Sequence, residues 1–147
     1  YMILVGPDHY DGYVQNIIKE KGLENNIKCL GWRNDVPDLI KASDIAVASS
    51  YREGFGLNIV EYQVCGVPVV ATNNRGHRDI INEGKTGYLV GFDDDETMAK
   101  RVIELYENFE LKKKIITNAK EKSKEFEDES IVEMIVGFYK KYILEEA

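Results

Sequence analysis

The sequence predicts an α/β fold, a doubly wound parallel sheet with helices alone following it towards the C-terminus. Three observations carry this. Short runs rich in Val, Ile and Ala are apolar at successive positions instead of alternating with polar residues, as strands buried on both faces require. Those runs alternate with segments of helical periodicity. From Asp93 onward the strand pattern stops and only helical spacing continues.

The elements follow in order. Tyr1 to Val5 is an apolar run closed by Gly6 and Pro7 and is expected to be a buried strand that opens the chain without a leader. Tyr10, Val14, Ile17 and Ile18 recur at helical spacing up to Gly22, and Ile27 to Leu30 is a second short strand ended by Gly31. Asp35 and Pro37 open a short helix through Ala42, because the first helical turn has no use for the N–H that proline lacks. Ile45 to Ala48 is the third strand, and the loop from Ser49 to Gly56 feeds a helix from Leu57 to Cys65. Val67 to Thr72 is the fourth strand, Arg78 to Glu83 a short helix ended by Gly84, and Tyr88 to Val90 the last strand. Helices are expected over Glu96 to Asn108 and Leu111 to Phe126. In a final one, Ser130 and Glu133 form a capping box and Ile131, Ile135, Phe138 and Tyr142 share a stripe. That stripe has two possible partners, the core of this domain or a further domain.

Composition narrows the function classes. The chain has 147 residues, 44% hydrophobic and 31% charged, as in an ordinary globular protein of one domain. A formal charge of −7 argues against nucleic acid or an anionic membrane as the main partner, since both call for a basic surface. Cys29 and Cys65 have neither a CxxC pattern nor a nearby His at ligand spacing, so free buried thiols in a cytosolic protein are expected and no metal site is implied. No run of about 18 apolar residues suggests membrane insertion.

In open α/β sheets ligands bind beyond the carboxyl ends of the strands, which directs attention to the loop after the third strand. There Glu53-Gly54-Phe55-Gly56-Leu57 lies between a strand and a helix, and its two glycines let backbone amides approach an anion closely. The helix N-terminus adds partial positive charge. The result is a phosphate seat without a lysine. Ile59 occupies the third glycine position of a dinucleotide fingerprint and the Gly-Lys-Ser/Thr of a Walker loop is missing, so NAD and ATP are poor candidates. Glu61 follows Glu53 with seven residues between them. At about 1.5 Å of rise per residue it stands about 7 Å along the helix from the seat, where a carboxylate suits vicinal ribose hydroxyls.

Glu53 through Glu61, followed by Gly66-Val67-Pro68-Val69-Val70-Ala71-Thr72, Gly76, Asp79-Ile80-Ile81, Gly84, Gly87 and Leu89-Val90, resembles the C-terminal, Rossmann-like domain of the retaining GT-B glycosyltransferases of family 4. The resemblance covers essentially the whole chain and is most specific from Ser49 to Val90. It implies that residues 1–147 are a donor-binding domain for a nucleotide diphosphate sugar, with UDP favoured over GDP or ADP. It further implies transfer with retention to a glycan or lipid-linked acceptor, without metal or cofactor, in the cytoplasm or at the inner face of the membrane. Glu53 would be the catalytic-site carboxylate that binds donor sugar hydroxyls. The amides of Gly54, Phe55, Gly56 and Leu57 would hold sugar and diphosphate, Glu61 the ribose, and the turn Gly31-Trp32-Arg33 the base. Family members place a strand, a basic loop and a helix, and before them an acceptor domain, ahead of the strand that opens this sequence. The donor half alone is expected to bind without turnover. Tyr62 stands where the family has a small residue, and Asn73 to Asp79 is similar to members that build capsule or exopolysaccharide.

Other polar residues have plainer readings. His77 is expected as a polar residue of a first helical turn, His9 as a loop residue, and Asp93-Asp94-Asp95 as a cap, with Asp93 three residues before Glu96. Arg52, Arg75 and Arg78 are candidates for an additional phosphate contact. Alternatives of other classes are a nucleotide-sugar epimerase of the same architecture and a non-catalytic nucleotide-binding or regulatory α/β module, for which Gly6-Pro7-Asp8 supplies only one of the acids a receiver-like site needs.

Overall fold

The computed structural model describes residues 1–7 and 12–126. The chain forms two compact units, Tyr1–Leu39 and Ile40–Ala147.

The first unit is a β-α-β crossover. Strands β1 (Met2–Leu4) and β2 (Ile27–Cys29) pair in parallel, with Met2 opposite Ile27 and Leu4 opposite Cys29. A parallel pair needs a long connection, which helix α1 (Tyr13–Glu20) supplies, with Ile18 buried and Val14 and Ile17 half-buried beside it. The Gly6 N–H donates to the Gly31 carbonyl at 2.9 Å, so the end of β1 lies beside the turn after β2. Two expectations fail here. Tyr1, Met2, Ile3 and Val5 are exposed rather than buried, and so is Cys29. Among the described residues strand β1 has a neighbour along one edge only, and apolarity measures what a strand has to bury, not what is present to cover it. Of the first predicted helix, Tyr10 lies outside the described residues, as does His9.

Helix α2 is Val36–Lys41. The second unit then holds β3 (Ala46–Ala48), α3 (Leu57–Cys65), β4 (Val69–Thr72), α4 (Arg75–Ile80), β5 (Tyr88–Val90), α5 (Asp95–Glu107) and α6 (Phe109–Ser123), the last ending in a 3-10 turn at Lys124–Phe126. Its strands are parallel in the order β3–β4–β5, with Ala46 opposite Val69 and Val70 opposite Tyr88. Central β4 is buried at every residue, which is why its sequence is apolar without alternation. Val70, Tyr88, Val90, Leu105 and Ile115 form a core that Met98, Val102 and Leu111 extend, so α5 and α6 cover this sheet. Burying each such aliphatic side chain contributes about 1.5–3 kcal/mol.

Boundaries move for identifiable reasons. Strand β4 starts at Val69, not Val67, because the Val67 N–H donates back to the Tyr62 carbonyl and closes α3 at Gly66. Helix α4 spans Arg75–Ile80 rather than Arg78 to Glu83, because Asn74 is its N-cap and the Asn82 N–H is taken by the Thr86 hydroxyl. Asp94, not Asp93, caps α5: its carboxylate accepts from the Thr97 N–H at 3.0 Å, while Asp93 takes a left-handed turn at φ 57°. Asn108 both ends α5 and caps α6 through the Leu111 N–H, so α6 begins at Phe109. Cys65 is half-buried. The helix expected from Ser130 lies outside the described residues. No helix among the described residues is long and apolar enough to cross a membrane.

Candidate functional site

In the second unit the chain leaves β3 at Ala48 and reaches α3 through the loop 49–56. Gly56 is the N-cap of α3, in a left-handed conformation (φ 87°, ψ 49°) that an L side chain adopts only with strain, and no side chain caps the helix. Within the first turn the Ile59 N–H donates to the Gly56 carbonyl at 2.9 Å, and the positive end of the helix dipole stands behind the turn. Leu57, in that turn, is exposed. Gly54 has open space where a side chain would begin and does not need a positive φ. Phe55 sits edge-on against Phe126, with ring centroids 5.5 Å apart.

The loop is held from below by α4. A Cβ on Gly76 would lie 2.8 Å from the Glu53 carbonyl oxygen and 3.1 Å from the Phe55 carbonyl, so only glycine lets the first turn of α4 approach this closely. His77 is completely buried, and Gly56 lies against its ring edge, with an added Cβ on Gly56 3.3 Å from His77 Cδ2. His77 Nδ1 lies 2.7 Å from the Thr72 carbonyl and 3.0 Å from the Asn74 side-chain nitrogen. Among the described residues its Nε2 has no hydrogen-bond partner. The Asn74 side chain accepts from the His77 N–H at 2.9 Å and donates to the Ser50 carbonyl at 2.9 Å, and the Thr72 hydroxyl donates to that same carbonyl at 2.6 Å. These bonds tie the start of the loop to the end of β4 and to α4. His77 does occupy the first turn of α4, but as a buried packing residue. Asn74 was not singled out by the sequence, although its place three residues before His77 is the spacing of an N-cap.

The structure brings Glu53, Gly54, Phe55, Gly56, Leu57 and Glu61 onto the loop and helix of one unit. Glu53 is partly buried and its Oε1 accepts from the Gly54 N–H at 3.2 Å. Glu61 is exposed on α3. The neighbouring Tyr62 is half-buried. Burial raises its phenol above the ordinary value near 10, a hydrogen bond with Asn58 opposes that rise, and the Glu61 carboxylate adds to it. α3 accommodates this large side chain and closes normally at Gly66. Gly31, Trp32 and Arg33 belong to the first unit. There Trp32 is exposed and donates to the Asn34 side chain at 3.2 Å, and Arg33 pairs bidentately with Asp35 at 2.8 and 2.6 Å. The hydrogen bonds between the pair hold the Asp35 carboxyl below its ordinary value and the Arg33 guanidinium above its own.

Residues 1–122 match the family model of the glycosyl transferases group 1. The chain belongs to this family. This group 1 glycosyl transferase domain is 31% identical over 142 residues to glycosyltransferase EpsD of Bacillus subtilis (strain 168), covering 97% of this chain and 37% of EpsD. It is 32% identical over 98 residues to a UDP-Gal:alpha-D-GlcNAc-diphosphoundecaprenol alpha-1,3-galactosyltransferase of Escherichia coli, covering 63% of this chain and 25% of that enzyme. Among solved structures it is similar to Anabaena Alr3699/HepE in complex with UDP, with a TM-score of 0.87 and 32% identity over 95% of this chain and 40% of that one. HepE is also known in complex with UDP-glucose, at a TM-score of 0.85. The domain thus spans well under half the length of these relatives. Its fold is that of GT-B glycosyltransferases.

Proposed function

We propose that this domain binds the donor in an enzyme that transfers a sugar from a nucleotide diphosphate sugar, UDP-linked in preference to GDP- or ADP-linked, to a glycan or lipid-linked acceptor with retention. The observation that carries the reading is the left-handed N-cap at Gly56, which leaves α3 without a side-chain cap at the carboxyl end of a parallel sheet, between the carboxylates Glu53 and Glu61. The donor diphosphate sits on the amides of Gly54 to Leu57, Glu53 accepts hydrogen bonds from the donor sugar, and Glu61 accepts them from the ribose. Gly31, Trp32 and Arg33 contact the base, through main chain more than through Arg33, whose guanidinium is engaged by Asp35. UDP is favoured because HepE has been solved with UDP and with UDP-glucose. A lipid-linked acceptor is favoured because the Escherichia coli relative is named for one.

Chemically, the domain stabilises charge growing on the leaving diphosphate with fixed dipoles, which need no reorganisation as the bond breaks. The rate comes chiefly from positioning and electrostatics, and no resident metal or cofactor takes part. Turnover requires the acceptor to be held in line in a closed cleft, so this domain alone binds without transferring. The complete enzyme works in the cytoplasm, at the inner face of the membrane, in polysaccharide assembly.

Thermal unfolding of the chain with UDP, GDP, ADP and NAD, each without metal, tests this. At a hundredfold excess over Kd a ligand adds about 2.7 kcal/mol, which for a domain of this size raises Tm by about 5–10 °C. A rise confined to UDP is expected. Equal rises with all four, or none with UDP, would overturn the reading.

A further inference from the structure

Beside the proposed donor seat lies a second, differently built cavity of about 370 Å³, lined by residues from the carboxyl ends of β3, β4 and β5. None of Gly54 to Leu57 lines it, and of the proposed donor-contacting residues only Glu53 does. Three guanidinium groups do: Arg52 from the loop after β3, and Arg75 and Arg78 from α4. In a chain of net charge −7, this cavity faces three cations against one carboxylate. Arg78 is oriented rather than neutralised: its Nη1 donates to the backbone and side-chain oxygens of Asn73, both at 3.2 Å, and neither is charged. Among the described residues none of the three arginines forms an ion pair. Asn73 and Asn74 supply the neutral polar part of the remaining wall, and Tyr51 and Phe92 its apolar part. Tyr51 and Phe92 pack with ring centroids 4.5 Å apart and both remain exposed, presenting flat carbon surface next to the cations.

Converging guanidinium groups select phosphate oxygens, because their forked donors match that geometry and stay charged at all relevant pH. An aromatic pair beside them suits the apolar face of a sugar ring or the first carbons of a chain. We infer that this cavity is an acceptor subsite that takes a phosphate or diphosphate joined to a sugar, with Arg52, Arg75 and Arg78 on the phosphates and Tyr51 and Phe92 on the apolar part. The inference rests on the donor reading above: the amide seat at α3 holds the donor diphosphate, and the cations beyond Glu53 are then left for a second anion. The arginines determine which acceptors bind and do not touch the reacting bond.

The test is a calorimetric titration of the chain, saturated with UDP, with a hexosyl diphosphate carrying a short alkyl ester, and with inorganic pyrophosphate and the phosphate-free alkyl hexoside as comparators. The diphosphate ester is expected to bind with UDP present and the alkyl hexoside to fail. Arg75→Ala and Arg78→Ala should each weaken the ester about tenfold with the Kd for UDP and the Tm unchanged. Phe92→Ala should weaken the ester but not pyrophosphate, which separates a sugar diphosphate from a free anion. Failure of the ester to bind, or equal affinity in the arginine variants, overturns the subsite. A fall in UDP affinity parallel to that for the ester in those variants also overturns it, by assigning the arginines to the donor. The UDP titration is read separately: if the unmodified chain does not bind UDP, the donor reading fails and the premise of this subsite with it, whereas UDP binding without ester binding overturns the subsite alone.

Discussion

Replacing Gly76 by alanine tests whether the loop is shaped by packing from beneath. The added Cβ would stand 2.8 Å from the Glu53 carbonyl oxygen and 3.1 Å from the Phe55 carbonyl carbon and oxygen. An ordinary C···O contact is about 3.3–3.6 Å, so backbone must move by about half an ångström. Both neighbours are main chain, and a rotamer change cannot relieve the clash. Overpacking of this kind costs about 1–3 kcal/mol, and alanine returns up to about 1 kcal/mol through its higher helix propensity. A net loss of about 1–2 kcal/mol lowers Tm by about 3–8 °C for a domain of this size. The same shift displaces the amides after Glu53, so UDP should bind at least several-fold more weakly. Gly54→Ala is the control: its Cβ meets open space, so Tm should hold within about 1 °C. Differential scanning calorimetry and titration with UDP read both quantities. A Gly76→Ala variant with unchanged Tm and unchanged UDP affinity would refute the account of the loop.

Four further outcomes are expected. Glu61→Ala should weaken UDP binding about 10- to 100-fold, the value of a hydrogen bond to a charged group of about 1.5–3 kcal/mol, with Tm unaltered because the residue is exposed; fluorescence or calorimetric titration that finds equal affinity removes the ribose role. Glu53→Ala should reduce the preference for UDP-glucose over UDP, and an unchanged ratio of the two Kd values counts against its contact with the sugar. Asn74→Ala removes a cap worth about 0.5–2 kcal/mol and an anchor on the Ser50 carbonyl, so thermal unfolding should show a lower Tm, whereas an unchanged Tm would mean the cap contributes nothing. The Thr97 amide holds the Asp94 carboxyl below its ordinary value of 3.8. Its stabilising contribution is therefore present above that value and is lost as pH falls through the lower, folded-state value. The Tm advantage of the native chain over Asp94→Asn should accordingly vanish between pH 5 and about 2, and a gap independent of pH would contradict the assignment.

The parallel strands of the second unit were legible because Val69, Val70 and Ala71 are apolar at every position, a pattern that only a strand covered on both faces sustains. The start of α3 was legible too, since Gly56 precedes the first helical residue and marks the turn. What could not be read was anything decided by cover or close approach. Tyr1 to Val5 has the same apolar character as β4 yet is exposed, because local sequence does not state which neighbours a strand has. Asn74 sits in the polar run Asn73 to His77, where several residues have capping side chains, and the choice falls to Asn74 because His77 is buried against Gly56. Asp93 and Asp94 differ by a backbone turn that composition does not encode.

The miss at Asn74 lies beneath the loop. The polar run after β4 was the least legible part of the second unit, and it is the part that holds the loop. Gly76 admits the loop backbone, His77 supports Gly56, and Asn74 ties Ser50 to α4. Amides can act on a developing diphosphate charge only if they are fixed before it develops, since dipoles that must turn towards the charge return part of their energy as reorganisation. A loop with two glycines is not stiff by itself, because glycine gives it more freedom than any other residue. The stiffness has to come from beneath, from side chains that touch neither donor nor acceptor. Substitutions at Asn74, Gly76 and His77 should therefore act on donor binding through loop position, and arginines on the outer face of the same turn can vary independently of it. On the donor and acceptor readings proposed above, one short helix serves both substrates: its buried side sets the donor seat, and its exposed side presents Arg75 and Arg78 to the acceptor.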